Sequence, residues 1–108
     1  MRDEERIQQA LTSDDPDRRR IAQVGIQLIG TLLKKNADYG SSAWRVPLAA
    51  PHLSASDAIL VRISDKVARI ANLSSGHTPE VQESLEDTIA DLAGYAILLL
   101  AKPKSETK

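Results

Sequence analysis

Residues 79–101, PEVQESLEDTIADLAGYAILLLA, decide the fold that the sequence predicts. Thr78 and Pro79 suit the N-cap and the first position of an α-helix. Apolar residues then recur every three or four positions, which is typical of the buried face of a helix. These residues are Leu85, Ile89, Leu92, Ala96 and Leu99. We therefore expect one helix over residues 79–101.

A second set of positions on the same predicted helix is acidic. Glu83, Asp87 and Asp91 follow one another at intervals of four residues, so they would stack on one side of the helix. Like charges at this spacing repel each other. Three explanations stay open: a bound cation, exposure to solvent, or an arginine supplied by another helix. Gly94 continues the line, and glycine inside a helix favours close approach of a ligand or another helix.

Composition narrows the possible partners and the location. The chain has 108 residues, a formal net charge of −1 and no Cys. The near-neutral charge argues against polymeric nucleic acid as a partner, and the lack of Cys excludes disulfides and thiolate metal sites. The apolar run at residues 96–101 is too short to span a membrane. The charged N-terminus does not resemble a signal peptide, so we expect a cytoplasmic protein, in the host cytoplasm if it is phage-encoded.

Two further long helices are predicted upstream. Asp15 as N-cap and Pro16 in the first turn predict a helix that ends near Asn36. Its apolar line consists of Ile21, Val24, Leu28 and Leu32. Its last turn would carry Lys34 and Lys35, which suit the helix dipole. Residues 1–14 are interpreted as an arm or short helix, residues 15–101 as a single helical domain, and residues 102–108 as a disordered tail.

The third helix follows a long connection at residues 37–53, which Gly40 and two prolines interrupt. The sequence SASD at residues 54–57 matches a capping box and predicts a helix to about Leu73. One face of this helix would carry Ile59, Ile63, Val67 and Ile70. The opposite face would carry Arg62, Asp65, Arg69 and Asn72. No segment alternates with a period of two, so no sheet is predicted.

The motifs of several enzyme classes are missing from the sequence. It contains no glycine-rich phosphate loop and no G-x-S-x-G elbow, and it has no thiol nucleophile. The remaining kind of site is one in which carboxylates hold a divalent cation. We expect Mg²⁺, because it prefers oxygen ligands and often bridges carboxylates to phosphates. Mn²⁺ is a possible substitute.

Three segments carry a resemblance to a known family: KKNADYGSSAW at residues 34–44, VRISDKVARIANL at 61–73 and ESLEDTIADLAGYAILLL at 83–100. Together they resemble the nucleotide-modification-associated domain found in phage and prophage genomes. That domain is in turn distantly similar to the MazG-like all-α nucleoside triphosphate pyrophosphohydrolases. The resemblance covers residues 34–100.

The resemblance implies an all-α fold and an activity. The expected fold is a small MazG-like bundle of three main helices plus a short N-terminal helix, completed by oligomerisation to a homodimer or homotetramer. The expected reaction is Mg²⁺-dependent cleavage of a nucleoside triphosphate to the monophosphate and pyrophosphate. The middle helix departs from the MazG-like pattern because it offers Asp65 alone, with Arg62 where a carboxylate is expected. The alternative is a helical module that binds nucleotides or proteins without catalysis.

The resemblance also assigns roles to individual residues. The catalytic acids would be Asp65, Glu83 and Asp87. The metal ligands would come from Asp65, Glu83, Glu86, Asp87 and Asp91. Triphosphate contacts would come from Lys34, Lys35, Lys66 and Arg69. The base would stack on Tyr39 or Trp44, and Asp38 of the connection is a further candidate for the substrate site.

Overall fold

The computed structural model describes residues 1–81 and 83–104, which form four α-helices and no strand. Helix α1 spans Asp3–Leu11, α2 Pro16–Tyr39, α3 Ala55–Ser74 and α4 Leu85–Leu100, with a short 3-10 helix at Ser42–Trp44. The predicted all-helical fold, with three main helices and a short N-terminal one, is confirmed. Its completion by oligomerisation stays a prediction. The part of the predicted tail from residue 105 onward lies outside the described residues.

Helix α4 begins later than the sequence predicts. Its N-cap is Ser84, whose hydroxyl accepts the backbone N–H of Asp87 at 3.0 Å. The Asp87 carboxylate accepts the backbone N–H of Ser84 at 3.3 Å, which completes a capping box. The predicted start at Thr78 and Pro79 is therefore wrong, because this reciprocal pair satisfies the first free N–H groups six residues further on. Glu83 consequently precedes the helix and does not continue an acidic line along it.

The chain forms two compact units, Met1–Lys35 and Asn36–Lys108. A single helical domain over residues 15–101 stays a prediction. In the first unit α2 starts where the sequence predicts, because the Asp15 carboxylate accepts the N–H of Asp17 at 3.0 Å. Much of the predicted apolar line is exposed, and Ile21 retains 74% of its accessible surface.

Helix α2 ends later than predicted. It continues past Asn36 to Tyr39, since no residue unsuited to a helix occurs before Gly40. Gly40 and Ser41 both have positive φ, +58° and +63°, and turn the chain away. The backbone N–H of Ser41 donates to the Asn36 carbonyl at 3.3 Å and closes the turn. The two lysines that were predicted in the last turn therefore lie further inside the helix: Lys34 and Lys35.

The core of the second unit lies where α3 and α4 pack together. Its buried apolar residues on α3 are Ala55, Ala58 and Ile59, and Leu98 is buried on α4. The 3-10 helix packs on α3, and the Trp44 indole N–H donates to the Leu98 carbonyl at 2.9 Å. This hydrogen bond joins the 3-10 helix to the last turn of α4. None of the helices in the described parts of the chain has the length and apolar character needed to cross a membrane.

Helix α3 forms as the sequence predicts, but part of its predicted orientation is wrong. The Ser54 hydroxyl accepts the N–H of Asp57 at 3.0 Å, so the predicted N-terminus is confirmed. Val67 was expected on the buried face but is 50% exposed. Arg69 was expected on the opposite face, yet its side chain contacts the segment that leads into α4. The helix is therefore rotated so that basic side chains lie along its contact with α4.

Candidate functional site

A cluster of charged side chains lies between α3 and α4, and Lys66 is at its centre. The Lys66 Nζ atom lies 3.2 Å from Asp91 Oδ2 and 3.6 Å from Glu83 Oε1. Lys66 projects from the middle of α3, Asp91 from the middle of α4, and Glu83 from the residue before the α4 N-cap. Two carboxylates, one from α4 and one from just before it, thus converge on one cationic atom of α3, and each of the three side chains is between a fifth and a third exposed.

Arg69 extends the cluster one helical turn along α3. Its Nε donates to Thr88 Oγ1 at 3.1 Å, and its Nη2 donates to the Glu83 carbonyl at 2.9 Å. The Arg69 Nε also lies 4.0 Å from the Glu83 carboxylate. Thr88 is fully buried, and its hydroxyl donates to the Ser84 carbonyl at 3.3 Å. Arg69 therefore ties the start of α4 to α3 by directed hydrogen bonds and has little freedom to move.

The charges around Lys66 stabilise its ammonium form. The side-chain hydrogen bond to Asp91 raises the pKa of Lys66 above its ordinary value of 10.5. Burial of the side chain lowers the pKa, while electrostatic interaction with Asp91, Glu83 and Tyr95 adds to the rise. Lys66 is consequently a full positive charge at neutral pH.

The predicted acidic residues have different surroundings. Glu83 and Asp91 converge on Lys66, whereas Asp87 caps α4 through its carboxylate. Asp65 and Glu86 are exposed on α3 and α4. Within the described residues no three Asp, Glu or His side chains are grouped closely enough to hold a metal ion. The predicted five-acid set is therefore not assembled here, and two of its members share one cation.

The predicted substrate residues are also spread over several elements. Lys66 and Arg69 belong to the cluster between α3 and α4. Asp38 and Tyr39 are the last residues of α2, and the Tyr39 side chain is 70% exposed. Trp44 uses its indole N–H to hold the Leu98 carbonyl, which favours a role in packing. The other two predicted residues, which lie in the first unit, are Lys34 and Lys35.

Thr88 and Tyr95 are the residues of this cluster that sequence reasoning missed. Thr88 is polar but occupies a position in the buried part of α4, where the apolar pattern would place a hydrophobic residue. Thr88, Asp91 and Tyr95 follow one another at spacings of three and four, so they share one side of α4. These polar residues among apolar neighbours are the signal in the sequence that could have identified Thr88 and Tyr95.

The fold and this cluster define a small all-helical protein with a mixed acidic and basic site between its last two helices. The family model described as nucleotide modification associated domain 1 matches residues 35–102. The chain belongs to this family. Comparisons with curated proteins and with solved structures give no match. The likeness to MazG-like enzymes and a phage origin stay predictions.

Proposed function

We propose that the chain is a magnesium-dependent nucleoside triphosphate pyrophosphohydrolase and that the cluster between α3 and α4 is its site. The observation that carries the proposal is the convergence of Glu83 and Asp91 on one cation position, now held by Lys66 Nζ. Membership of a family associated with nucleotide modification supports a nucleotide as the substrate.

The carboxylates of Glu83 and Asp91 are ligands of the kind that Mg²⁺ takes when substrate phosphates complete its coordination. This ion prefers carboxylate oxygens and is commonly held by one or two carboxylates together with substrate phosphates. Glu83 and Asp91 would hold it in this chain, and Mn²⁺ is a possible substitute. When bound, Mg²⁺ neutralises phosphate charge and lowers the pKa of a water molecule for attack on phosphorus. Lys66 and Arg69 lie beside the two carboxylates and would contact the phosphate oxygens.

A second candidate function is a helical module that binds nucleotides or proteins without catalysis. The pairing of the acids with basic residues favours it, because Glu83 and Asp91 are already neutralised by Lys66 and Arg69. The role of Asp87 in capping α4 favours it as well. On this view the cluster joins α3 to α4 and the family association reflects partnership with modifying enzymes.

One assay separates the two candidates. The protein is incubated with each common NTP and dNTP and Mg²⁺, and pyrophosphate and monophosphate are measured. We expect turnover in the wild type, loss of at least about a hundredfold in Asp91→Asn, and unchanged turnover in Glu80→Gln, an exposed acid before the cluster. No turnover with any nucleotide at high protein concentration would refute the hydrolase.

We also propose the oligomeric state and the cellular role that the resemblance implies. The site is expected to work in a homodimer or homotetramer in phage-type nucleotide metabolism within the cytoplasm. Sedimentation velocity of the wild type tests the first of these expectations. The expected homodimer or homotetramer is contradicted if the protein is monomeric at every protein concentration at which it hydrolyses nucleotide.

A further inference from the structure

We propose that the apolar face of α2 is a binding surface for a second copy of this chain and that the two α2 helices pack antiparallel. This inference deepens the oligomeric state proposed above, because it names the surface that joins the copies. None of the charged residues between α3 and α4 takes part in it. The apolar face of α2 consists of Ile21, Ala22, Val24, Gly25, Leu28, Ile29, Leu32 and Leu33.

Most of this face is open to water in the single chain. Ile21 keeps 74% of its accessible surface, Val24 62% and Leu33 64%. Of the residues of α2, all of which the structure describes, Ala22 alone is buried. Aliphatic side chains that are exposed side by side along one helix mark a surface that another molecule covers, because their hydration is unfavourable.

The dimensions of α2 suit a second copy of the same helix. Its 24 residues correspond to a cylinder about 36 Å long and about 10 Å across. Two such cylinders lying face to face bury on the order of 1,000 Å² in total, which is near the lower limit for a specific interface. A two-fold pair also covers both copies of the face at once, since the same residues contribute from each side.

Gly25 lies at the centre of the apolar face. The positions three and four residues before and after it are all apolar: Ile21, Ala22, Leu28 and Ile29. A Cβ atom built on Gly25 meets no atom within 4 Å. Nothing within the chain therefore requires a glycine here, although glycine weakens a helix relative to alanine. Close approach of a side chain from another molecule gives the missing Cβ a purpose.

The polar residues at the two ends of the face favour the antiparallel orientation. A parallel pair would place the three arginines at residues 18–20 against the same three of the second copy, and like charges repel. Arg18 precedes Gly25 by seven residues and Asn36 follows it by eleven, so both lie on the same side of α2. In an antiparallel pair, Arg18 of each copy reaches the side-chain oxygen of Asn36 in the other, and Ile29 faces Gly25.

The first test compares two glycines of α2 by sedimentation velocity over a wide range of protein concentration. Gly30 lies about 140° around the helix from Gly25, and a Cβ atom there also meets nothing within 4 Å. We expect Gly30→Ala to dimerise as the wild type does and Gly25→Ala to dimerise at least about tenfold more weakly. The inference is overturned if Gly25→Ala dimerises as tightly as the wild type.

A second pair of variants places a charge on either side of α2. Ile21→Glu introduces it on the apolar face, at a side chain exposed enough for the fold to be kept, and Gln23→Glu introduces it at an exposed polar position. Ile21→Glu should weaken the dimer at least about tenfold and Gln23→Glu should leave it unchanged. Circular dichroism checks that both variants fold. A wild type that is monomeric at every concentration refutes the surface.

A lipid surface is the rival occupant, because basic amphipathic helices also bind membranes. The wild type is therefore sedimented with vesicles of phosphatidylcholine and phosphatidylserine, and we expect it to stay in the supernatant. Binding to these vesicles that Ile21→Glu abolishes would assign the face to lipid and overturn the inference.

The orientation is tested by disulfide trapping, which is unambiguous because the chain has no Cys. Under mild oxidation, a mixture of Ile21→Cys and Leu32→Cys should form a mixed disulfide dimer, whereas Ile21→Cys alone should not form a dimer. Trapping of Ile21→Cys alone would show a parallel pair and overturn the inference. A dimer that none of the α2 variants weakens would refute this surface and keep the proposed oligomeric state. Turnover is not measured, so failure of the hydrolase is a separate result.

Discussion

Thr88 offers a direct measure of how firmly Arg69 holds α4 to α3. The Thr88 side chain is fully buried, and its hydroxyl accepts from Arg69 Nε at 3.1 Å. Thr88→Val keeps the branched shape but removes this acceptor, together with the hydroxyl donor to the Ser84 carbonyl. Hydrogen bonds to charged groups contribute about 1.5–3 kcal/mol. Because a quarter of the Arg69 side chain is exposed, water can replace part of the lost bond, and we expect a loss of about 1.5 kcal/mol.

The measurement is urea unfolding followed by circular dichroism, on wild type, Thr88→Val, Arg69→Met and the double variant. The slope of the free energy of unfolding against urea should not change, since the folded surface stays the same. Arg69→Met should cost more than Thr88→Val because it also removes the bond to the Glu83 carbonyl. A coupling energy of about 1 kcal/mol between the two positions is expected.

Ser64 supplies the control. Its hydroxyl also makes one hydrogen bond, to the Leu60 carbonyl at 3.0 Å, but on the exposed side of α3. Ser64→Ala should change the free energy of unfolding by less than about 0.5 kcal/mol. If Thr88→Val is as stable as the wild type, or if the effects of Thr88→Val and Arg69→Met simply add, the argument for a directed contact between α3 and α4 is refuted.

Three further predictions concern stability. The pKa of Lys66 is raised in the folded protein, so the stabilisation by its ion pairs is complete below 10.5, the pKa in the unfolded chain, and is lost as pH rises through the higher folded pKa. The free energy of unfolding measured against pH should therefore fall above pH 10.5, and it should fall less steeply in Lys66→Gln. Ser84→Ala removes the cap of α4 and should lower the free energy of unfolding by about 1 kcal/mol in urea titrations, with an unchanged value contradicting the cap. Trp44→Phe keeps an aromatic ring but loses the bond to the Leu98 carbonyl, so thermal unfolding should show a loss of about 1 kcal/mol, and a melting temperature equal to that of the wild type would contradict this.

Capping signals in the sequence located the start of α2 and the start of α3, but not the start of α4. Asp15 and Ser54 each precede a helix at the predicted position because their side chains satisfy N–H groups two or three residues away. For the final helix the sequence analysis named Thr78 as the cap, six residues before the cap that the structure shows. Ser84 caps the helix in the structure, where the Glu83 carbonyl is also held by Arg69 of α3. Arg69 and Glu83 are fourteen residues apart in the chain, so the sequence around α4 gives no local sign of this contact.

The candidate site also depends partly on local sequence and partly on tertiary packing. The amino-acid sequence by itself determined an all-helical chain, the identity of the acids and bases, and their spacing along each helix. Only the tertiary structure decided that Lys66 meets Glu83 and Asp91 and that Asp87 serves as a cap. Helical periodicity states which side chains share a face, but the rotation of a helix about its axis is set by the packing of its neighbour. The partners of charged side chains on α3 and α4 therefore follow from that packing.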